Sequence, residues 1–252
     1  MIIGLVQYSP VWENKKASFE KIIKMLVNTD KVELMIFPEM TLTGFTMKSA
    51  KFAERLDGES VQFFASLAKE KKCSIMFGII ERGRNKCFNT IVHINNQGKI
   101  LTTYRKIHPF SYTSENAFYG AGREIAVAKS KGYKIGLSIC YDLRFPELYR
   151  MYAKEKVHIL VNIANWPITR IEHWRTLLKA RAIENQCYMI GVNRVGNDPA
   201  LLYNGFSSAF DPMGNLLVES VDVEQLIVVD VEIKYVQQVR NNFPFLSDMK
   251  MI

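Results

Sequence analysis

The stretch from Tyr133 to Lys154, YKIGLSICYDLRFPELYRMYAK, narrows the possible folds more than any other. Tyr133, Ile135, Leu137 and Ile139 alternate with Lys134, Gly136, Ser138 and Cys140, so its first half reads as a strand with one bulky and one small face. Asp142 and Pro146 then supply helix-start chemistry, and Leu148, Met151 and Tyr152 recur at helical spacing between Glu147 and Lys154. Cys140 therefore stands on a strand-to-helix corner. Such a corner presents a side chain to a ligand, and its backbone N–H groups and positive helix end favour a thiolate and stabilise an oxyanion. Taken alone, Cys140 reads more simply as a buried structural thiol, so the rest of the chain has to decide.

The same alternation runs through the sequence. Ile2 to Gln7 is a short apolar run broken by Ser9-Pro10, as in a buried strand. The helix after it sets Phe19, Ile22, Ile23, Leu26 and Val27 on one face and Lys15, Lys16, Lys21 and Lys24 outside it. Val32 to Phe37 is a second strand stopped by Pro38, which delivers Glu39 to its C-terminal edge. A helix over 59–72 and a strand over 74–80 follow. Phe88 to Ile94 and Ile100 to Arg105 then form an antiparallel meander turned by Arg82 to Lys86 and Asn95 to Gly98, with Lys106 at its end. The segment IHPFSYTSENAFYGAG, rich in aromatics, Ser and Gly, fits a loop that covers a pocket, and it holds Glu115. Beyond the Cys140 corner come a strand over 158–164, a helix over 174–185 and a strand over 187–195. Closing strands lie around 206–210, 215–219 and 226–231, and 233–252 reads as helix, then coil. Strands alternating with helices and interrupted by hairpins predict a mixed-sheet α/β domain with its site on loops at strand ends.

Composition bounds the function. With 252 residues, 48% of them hydrophobic, the chain can bury a large core as one domain spanning 1–252. The opening MIIGLVQYSP lacks the basic start and long apolar run of a secretory signal, and no apolar run approaches the ~18 residues a membrane span needs, so a cytoplasmic protein is expected. Cys73, Cys87, Cys140 and Cys187 form no CxxC pair, and His93, His108, His158 and His173 are scattered without ligand spacing, so neither disulfides nor a metal is expected. The net charge of +8 is dispersed, which argues against nucleic acid as a partner. A positive field of this kind would draw in a small carboxylate.

Glu39, Lys106 and Cys140 each stand where a predicted strand ends. Singly they read as a loop acid, a surface charge and core filling. Jointly they have complementary roles: the carboxylate can take the thiol proton, the ammonium can lower the thiol pKa and hold oxyanion charge, and the thiolate can attack a carbonyl carbon. His108, two residues after Lys106, offers an alternative Cys–His pairing, although Pro109 makes a shared face unreliable.

FPEMTLTG, YRKIHPF and ICYDLRFPEL, in this order and at these separations, resemble the three signature blocks of the nitrilase superfamily of carbon–nitrogen hydrolases, and the resemblance covers nearly the whole chain. It implies that Glu39 is the general base and acid, Lys106 the oxyanion stabiliser, helped by the Tyr141 backbone N–H, and Cys140 the nucleophile. Glu115 matches the superfamily's second glutamate, which orients the lysine and helps hold the amide. ANWP, RIEHW and KARAIENQCYMIGVNRVG further resemble the bacterial omega-amidase branch, which cleaves the terminal amide of 2-oxoglutaramate and related monoamides. The anionic end of such a substrate would be received by Arg144, Arg170 or Arg194, with Arg170 preferred and Thr169 as a neutral helper. Phe45, Phe110, Tyr119 and Trp166 would wall the pocket. The resemblance also implies a four-layer α-β-β-α sandwich of two mixed sheets flanked by helices, no cofactor, and a homodimer across which the 233–252 tail packs. A nitrilase, an N-carbamoyl-amine hydrolase and a redox-sensitive scaffold without activity are the competing readings.

Overall fold

A computed structural model describes residues 1–29 and 31–251; Asp30 and Ile252, the last residue of the expected tail, lie outside the described residues. Each half of the chain contains three parallel strands joined through helices. In the first half β1 (Ile2–Gln7), β2 (Leu34–Ile36) and β3 (Ser74–Arg82) run parallel, connected through α1 (Lys15–Met25), α2 (Ser49–Phe52) and α3 (Glu59–Lys71). β4 (Cys87–Ile94) and β5 (Ile100–Arg105) fold back as the antiparallel meander, and after α4 (Glu115–Phe118) the short β6 (Tyr119–Gly120) pairs with β4. The second half pairs β7 (Val127–Ser130) with β8 (Tyr133–Ile139), then lays β9 (Ile159–Ala164) and β10 (Tyr188–Asn193) parallel to β8 through α5 (Pro146–Lys154) and α6 (Ile171–Asn185). β11 (Val195–Asn197), β12 (Leu202–Phe210) and β13 (Leu216–Val221) extend that sheet antiparallel. β14 (Gln225–Asp230) crosses back to lie beside β1, and α7 (Ile233–Asn242) follows. The described residues thus form two mixed sheets of seven strands each.

Three apolar cores hold four layers together. Leu5, Ile36 and Ile91 of the first sheet meet Leu137, Val161 and Ile190 of the second in the innermost one. Outside the first sheet, Ile22 of α1 and Val61, Phe64 and Leu67 of α3 cover Met35, Ile75 and Phe77; Phe64 stacks on Phe77 with centroids 4.0 Å apart. Outside the second, α5 and α6 lay Tyr149, Tyr152, Trp174 and Leu178 on Leu160 and Met189. Each such side chain, fully buried, contributes about 1.5–3 kcal/mol. The order is helices, sheet, sheet, helices.

β8 shows how its sequence pattern produces this. Ile135, Leu137 and Ile139 enter the core between the sheets. The other face is small because aromatic rings of α5 lie on it: a Cβ at Gly136 would come within 2.7 Å of the Tyr152 ring, and Ser138 Oγ is 2.7 Å from the Tyr149 hydroxyl. Elsewhere the structure departs from the pattern. α1 buries Ile22 but leaves Ile23 and Val27 52% and 63% exposed, because the helix ends at Met25 and only a narrow stripe of it touches the sheet. β7, α4 and β11 are elements of three or four residues, too short to read from sequence. In the tail, α7 packs on its own chain: Val236 and Val239 are buried and Arg240 donates to the carbonyls of Val157, Asn185 and Gln186.

Candidate active site

Glu39, Lys106 and Cys140 come from opposite sheets to one place, at the ends of β2, β5 and β8. After β2, Pro38 stops the ladder and Met40 adopts a left-handed φ of 44°, which folds the Glu39 backbone over β3. Only glycine allows this approach at position 78, since a Cβ there would lie 2.5 Å from the Met40 nitrogen and 3.0 Å from the Glu39 Cα. Both Glu39 carboxylate oxygens are then claimed. Oε1 accepts from Asn89 Nδ2 at 2.7 Å and Lys106 Nζ at 3.2 Å, and Oε2 accepts from the Asn165 backbone N–H at 2.8 Å and its Nδ2 at 3.2 Å.

Lys106 Nζ also donates to Glu115 Oε2 at 2.8 Å and Oε1 at 3.1 Å, and Glu115 accepts from Asn89 Nδ2 at 3.1 Å and the Phe110 N–H at 2.5 Å. Lys106 is 1% exposed and both glutamates 0%. Burial by itself would drive the proton off Lys106; the charges of Glu115 and then Glu39 outweigh it, and the pKa is raised. The lysine is a fixed cation between two acids.

Cys140 sits just past β8 in a strained left-handed conformation, φ 47°, its N–H donating to Asn162 Oδ1 at 3.0 Å. Asp142, fully buried, pins this corner to the end of β5. It accepts from the Ile139 N–H (2.9 Å) and the Tyr104 hydroxyl (2.7 Å) on one oxygen and from the His108 N–H (3.0 Å) on the other. Burial, and next the charge of Glu39, push the Cys140 thiol well above its usual range; Lys106 and the Asn165 N–H pull the other way. At rest the sulfur is protonated.

Above this floor lies a cavity partly open to solvent, ≈ 440 Å³ counting its open mouth, of which ≈ 30 Å³ admits whole water molecules. Lys106, Cys140, Tyr141, Phe45, Phe110 and Trp166 line it together with Arg144, Asn165, Arg170 and Tyr203. The Arg144 guanidinium lies 4.8 Å over the Trp166 ring and that of Arg170 5.6 Å over Phe110. Neither has an acidic partner within 4.0 Å among the described residues. Partial burial, and then the nearby charge of Arg170, lower the Arg144 pKa.

Four sequence expectations do not fit this geometry. Tyr119 is turned into a separate apolar cluster with Met40, Phe52 and Ile80, its hydroxyl donating to the Thr46 carbonyl at 2.5 Å. Thr169 is exposed on a 3₁₀ turn and does not reach the cavity. Arg194 is wholly buried, spent on the carbonyls of Val195 and Asn197 and stacked 4.4 Å from the Tyr203 ring. His108 holds Asp142 with its Nδ1 at 2.8 Å, stacks on Phe145 and does not line the cavity that holds the thiol. Conversely, sequence reasoning assigned nothing to Asn89, Asn162, Asn165 or Tyr203. Asn165 stands in ANWP beside a strand end and carried a signal; Asn89 and Asn162 lie inside strands and carried none. Among the described residues no three His, Cys, Asp or Glu side chains are grouped as a metal would require.

A model of the family described as carbon-nitrogen hydrolase matches residues 2–241. The chain belongs to the carbon–nitrogen hydrolase family. It is 35% identical over 227 residues to the hydrolase in the agr operon of Staphylococcus aureus, covering 88% of this chain and 86% of that one. It is 32% identical over 250 residues to 2-oxoglutaramate amidase of Bacillus subtilis, covering 97% and 94%. A crystal structure of a CN-hydrolase superfamily protein from Xanthomonas campestris, with an arsenic adduct in its active site, superposes with a TM-score of 0.95 at 31% identity, covering 100% of this chain and 98% of that one. This hydrolase therefore acts on carbon–nitrogen bonds, and its two-sheet sandwich is the one the Xanthomonas campestris protein shares. Among the described residues no helix is long and apolar enough to cross a membrane.

Proposed function

We propose that this hydrolase is an omega-amidase: it cleaves the terminal amide of a small dicarboxylic monoamide such as 2-oxoglutaramate to the acid and ammonia, through a thioester on Cys140. One observation carries the reading: two arginines without acidic partners, Arg144 and Arg170, face the cavity that holds the Cys140 thiol and the Lys106 ammonium. Unmatched cations beside a nucleophile suit a substrate with a carboxylate at one end and the reacting amide at the other. The 2-oxoglutaramate amidases of Bacillus subtilis and Paenarthrobacter nicotinovorans, 32% and 34% identical, agree with it.

In the proposed cycle Glu39 takes the Cys140 proton as sulfur attacks the amide carbon. The transfer moves a negative charge from the carboxylate to sulfur without adding one, so deep burial does not forbid it. Lys106, held still by Glu115, and the Tyr141 N–H stabilise the oxyanion. The C–N bond breaks as protonated Glu39 gives its proton to the leaving nitrogen, and ammonia departs. Water then enters, yields a proton to Glu39 and attacks the thioester carbon; the C–S bond breaks and Glu39 passes that proton to the departing Cys140 sulfur. Arg170 and Arg144 hold the distal carboxylate, and Phe45, Phe110 and Trp166 keep other water out.

Ammonia release from 2-oxoglutaramate, N-carbamoyl-β-alanine and a simple nitrile tests the assignment; faster release from either of the latter two transfers it to the carbamoyl-amine hydrolases or nitrilases. Absence of both ammonia release and any acyl adduct by intact mass would leave only the scaffold reading. The working form we propose is a single-domain, cytoplasmic homodimer, with the exposed Phe243 and Phe245 after α7 at its interface. Light scattering that gives a monomer mass at micromolar concentration removes the dimer.

A further inference from the structure

Asn165 uses only half of its side chain within the protein. Its Nδ2 donates to the Glu39 backbone oxygen at 2.8 Å and to Oε2 at 3.2 Å, which fixes the amide's orientation, because the reversed group would set its oxygen against two acceptors. Its Oδ1 is consequently buried with no hydrogen-bond donor beside it. Asn165 is 5% exposed and lines the cavity shared by Cys140 and Lys106. An unpaired buried acceptor is costly and calls for an explanation; of the unpaired groups among the described residues, Asn165 is the one whose residue lines the cavity with the nucleophile, where a ligand can supply the donor. No other group of the cavity reaches Oδ1: Lys106 is committed to Glu39 and Glu115, and the guanidiniums of Arg144 and Arg170 lie over the Trp166 and Phe110 rings.

We infer that Asn165 Oδ1 accepts an N–H from the scissile amide nitrogen, and that it holds that nitrogen beside Glu39 as the C–N bond breaks. The inference rests on the amidase reading above. In acylation the S–C bond forms, the C–N bond breaks with its electron pair going to nitrogen, and Glu39 returns the Cys140 proton to that nitrogen, giving ammonia. Asn165 transfers nothing. It orients the leaving group so that the nitrogen lone pair meets Glu39, and it favours leaving atoms that carry hydrogen over esters and nitriles, which have none to offer.

The test compares two probes with one acyl group, succinamate and its oxygen counterpart monomethyl succinate. Both leaving atoms need a proton from Glu39, and only the amide brings an N–H. In Asn165→Ala, kcat/KM for succinamate should fall by a factor on the order of 10 more than for the methyl ester, as expected for loss of one buried hydrogen bond. An equal fall for both probes would mean that Asn165 serves only to hold Glu39, and overturns the inference. If the wild-type protein hydrolyses neither probe and forms no acyl adduct, the amidase reading fails and takes this role with it. Should Asn165→Ala not fold, a crystal structure of Cys140→Ala soaked with succinamate decides: an amide nitrogen within hydrogen-bond distance of Oδ1 supports the role, and one turned away from it rejects it.

Discussion

At the floor of the site Glu39, Lys106 and Glu115 are at most 1% exposed and satisfy one another with the help of two asparagines, whereas at its mouth Arg144 and Arg170 are half buried and lean on aromatic faces with no acid beside them. Desolvation explains the contrast. An ion removed from water must find its partners in the protein, so the floor is a closed network whose geometry is set before any substrate arrives. The mouth keeps part of its hydration and can leave charge unmatched until a carboxylate enters. The floor should accordingly govern chemistry and the mouth selection.

The largest expected effect breaks the floor. Glu39→Gln keeps the shape but removes the proton acceptor, and amide turnover should drop on the order of 10³-fold, measured as ammonia release. Near-normal turnover would deny Glu39 its role and return His108 as the candidate base, against its present engagement with Asp142.

Acid should find the buried side of the contrast next. His93 lies on the same face of β4 as Asn89, wholly buried, with no hydrogen-bond partner for either ring nitrogen among the described residues, and burial lowers its pKa to about 4. In the unfolded chain it titrates near its ordinary value of 6.5, so between these values the unfolded state binds the extra proton and stability falls as pH falls. The full loss, reached below pH 4, is roughly 3 kcal/mol. His93→Leu should flatten the melting-temperature profile between pH 4 and 6.5; an unchanged slope would place the acid sensitivity elsewhere.

At the mouth, Arg170→Ala should raise KM for 2-oxoglutaramate on the order of 10- to 100-fold with kcat little changed, and leave a neutral amide such as propionamide almost unaffected. An equal loss on both substrates would show the arginine supporting the floor, and the division between chemistry and selection would fail. The smallest effect sharpens the boundary of the mouth: Thr169→Ala, on the exposed turn, should alter kcat/KM by less than roughly 2-fold. A larger change would bring Thr169 back to the substrate.

How much of this was legible beforehand follows from range. The strand at 133–139 and the α5 helix were readable because alternation and helical spacing are local, and Pro38 marked the end of β2 within a residue or two. The arginine question was not legible. Arg144, Arg170 and Arg194 are alike as letters, and only packing buries the third against backbone carbonyls while leaving the other two beside the thiol. Asn89 is similar: inside a strand it looks like any polar residue, and it bridges Glu39 and Glu115 only because β4 passes beneath both.

Periodicity, turn residues and the three signature blocks were enough to establish the layered α/β class, the family and the strand ends from which Glu39, Lys106 and Cys140 project, because each depends on neighbours close in sequence. Which side chains face the cavity, which asparagines orient the acids and why the lysine stays charged depend on groups brought from both sheets into a space without water. There, partners separated by up to 126 positions, as Glu39 and Asn165 are, decide hydrogen bonding and protonation, and only the assembled tertiary structure could specify them.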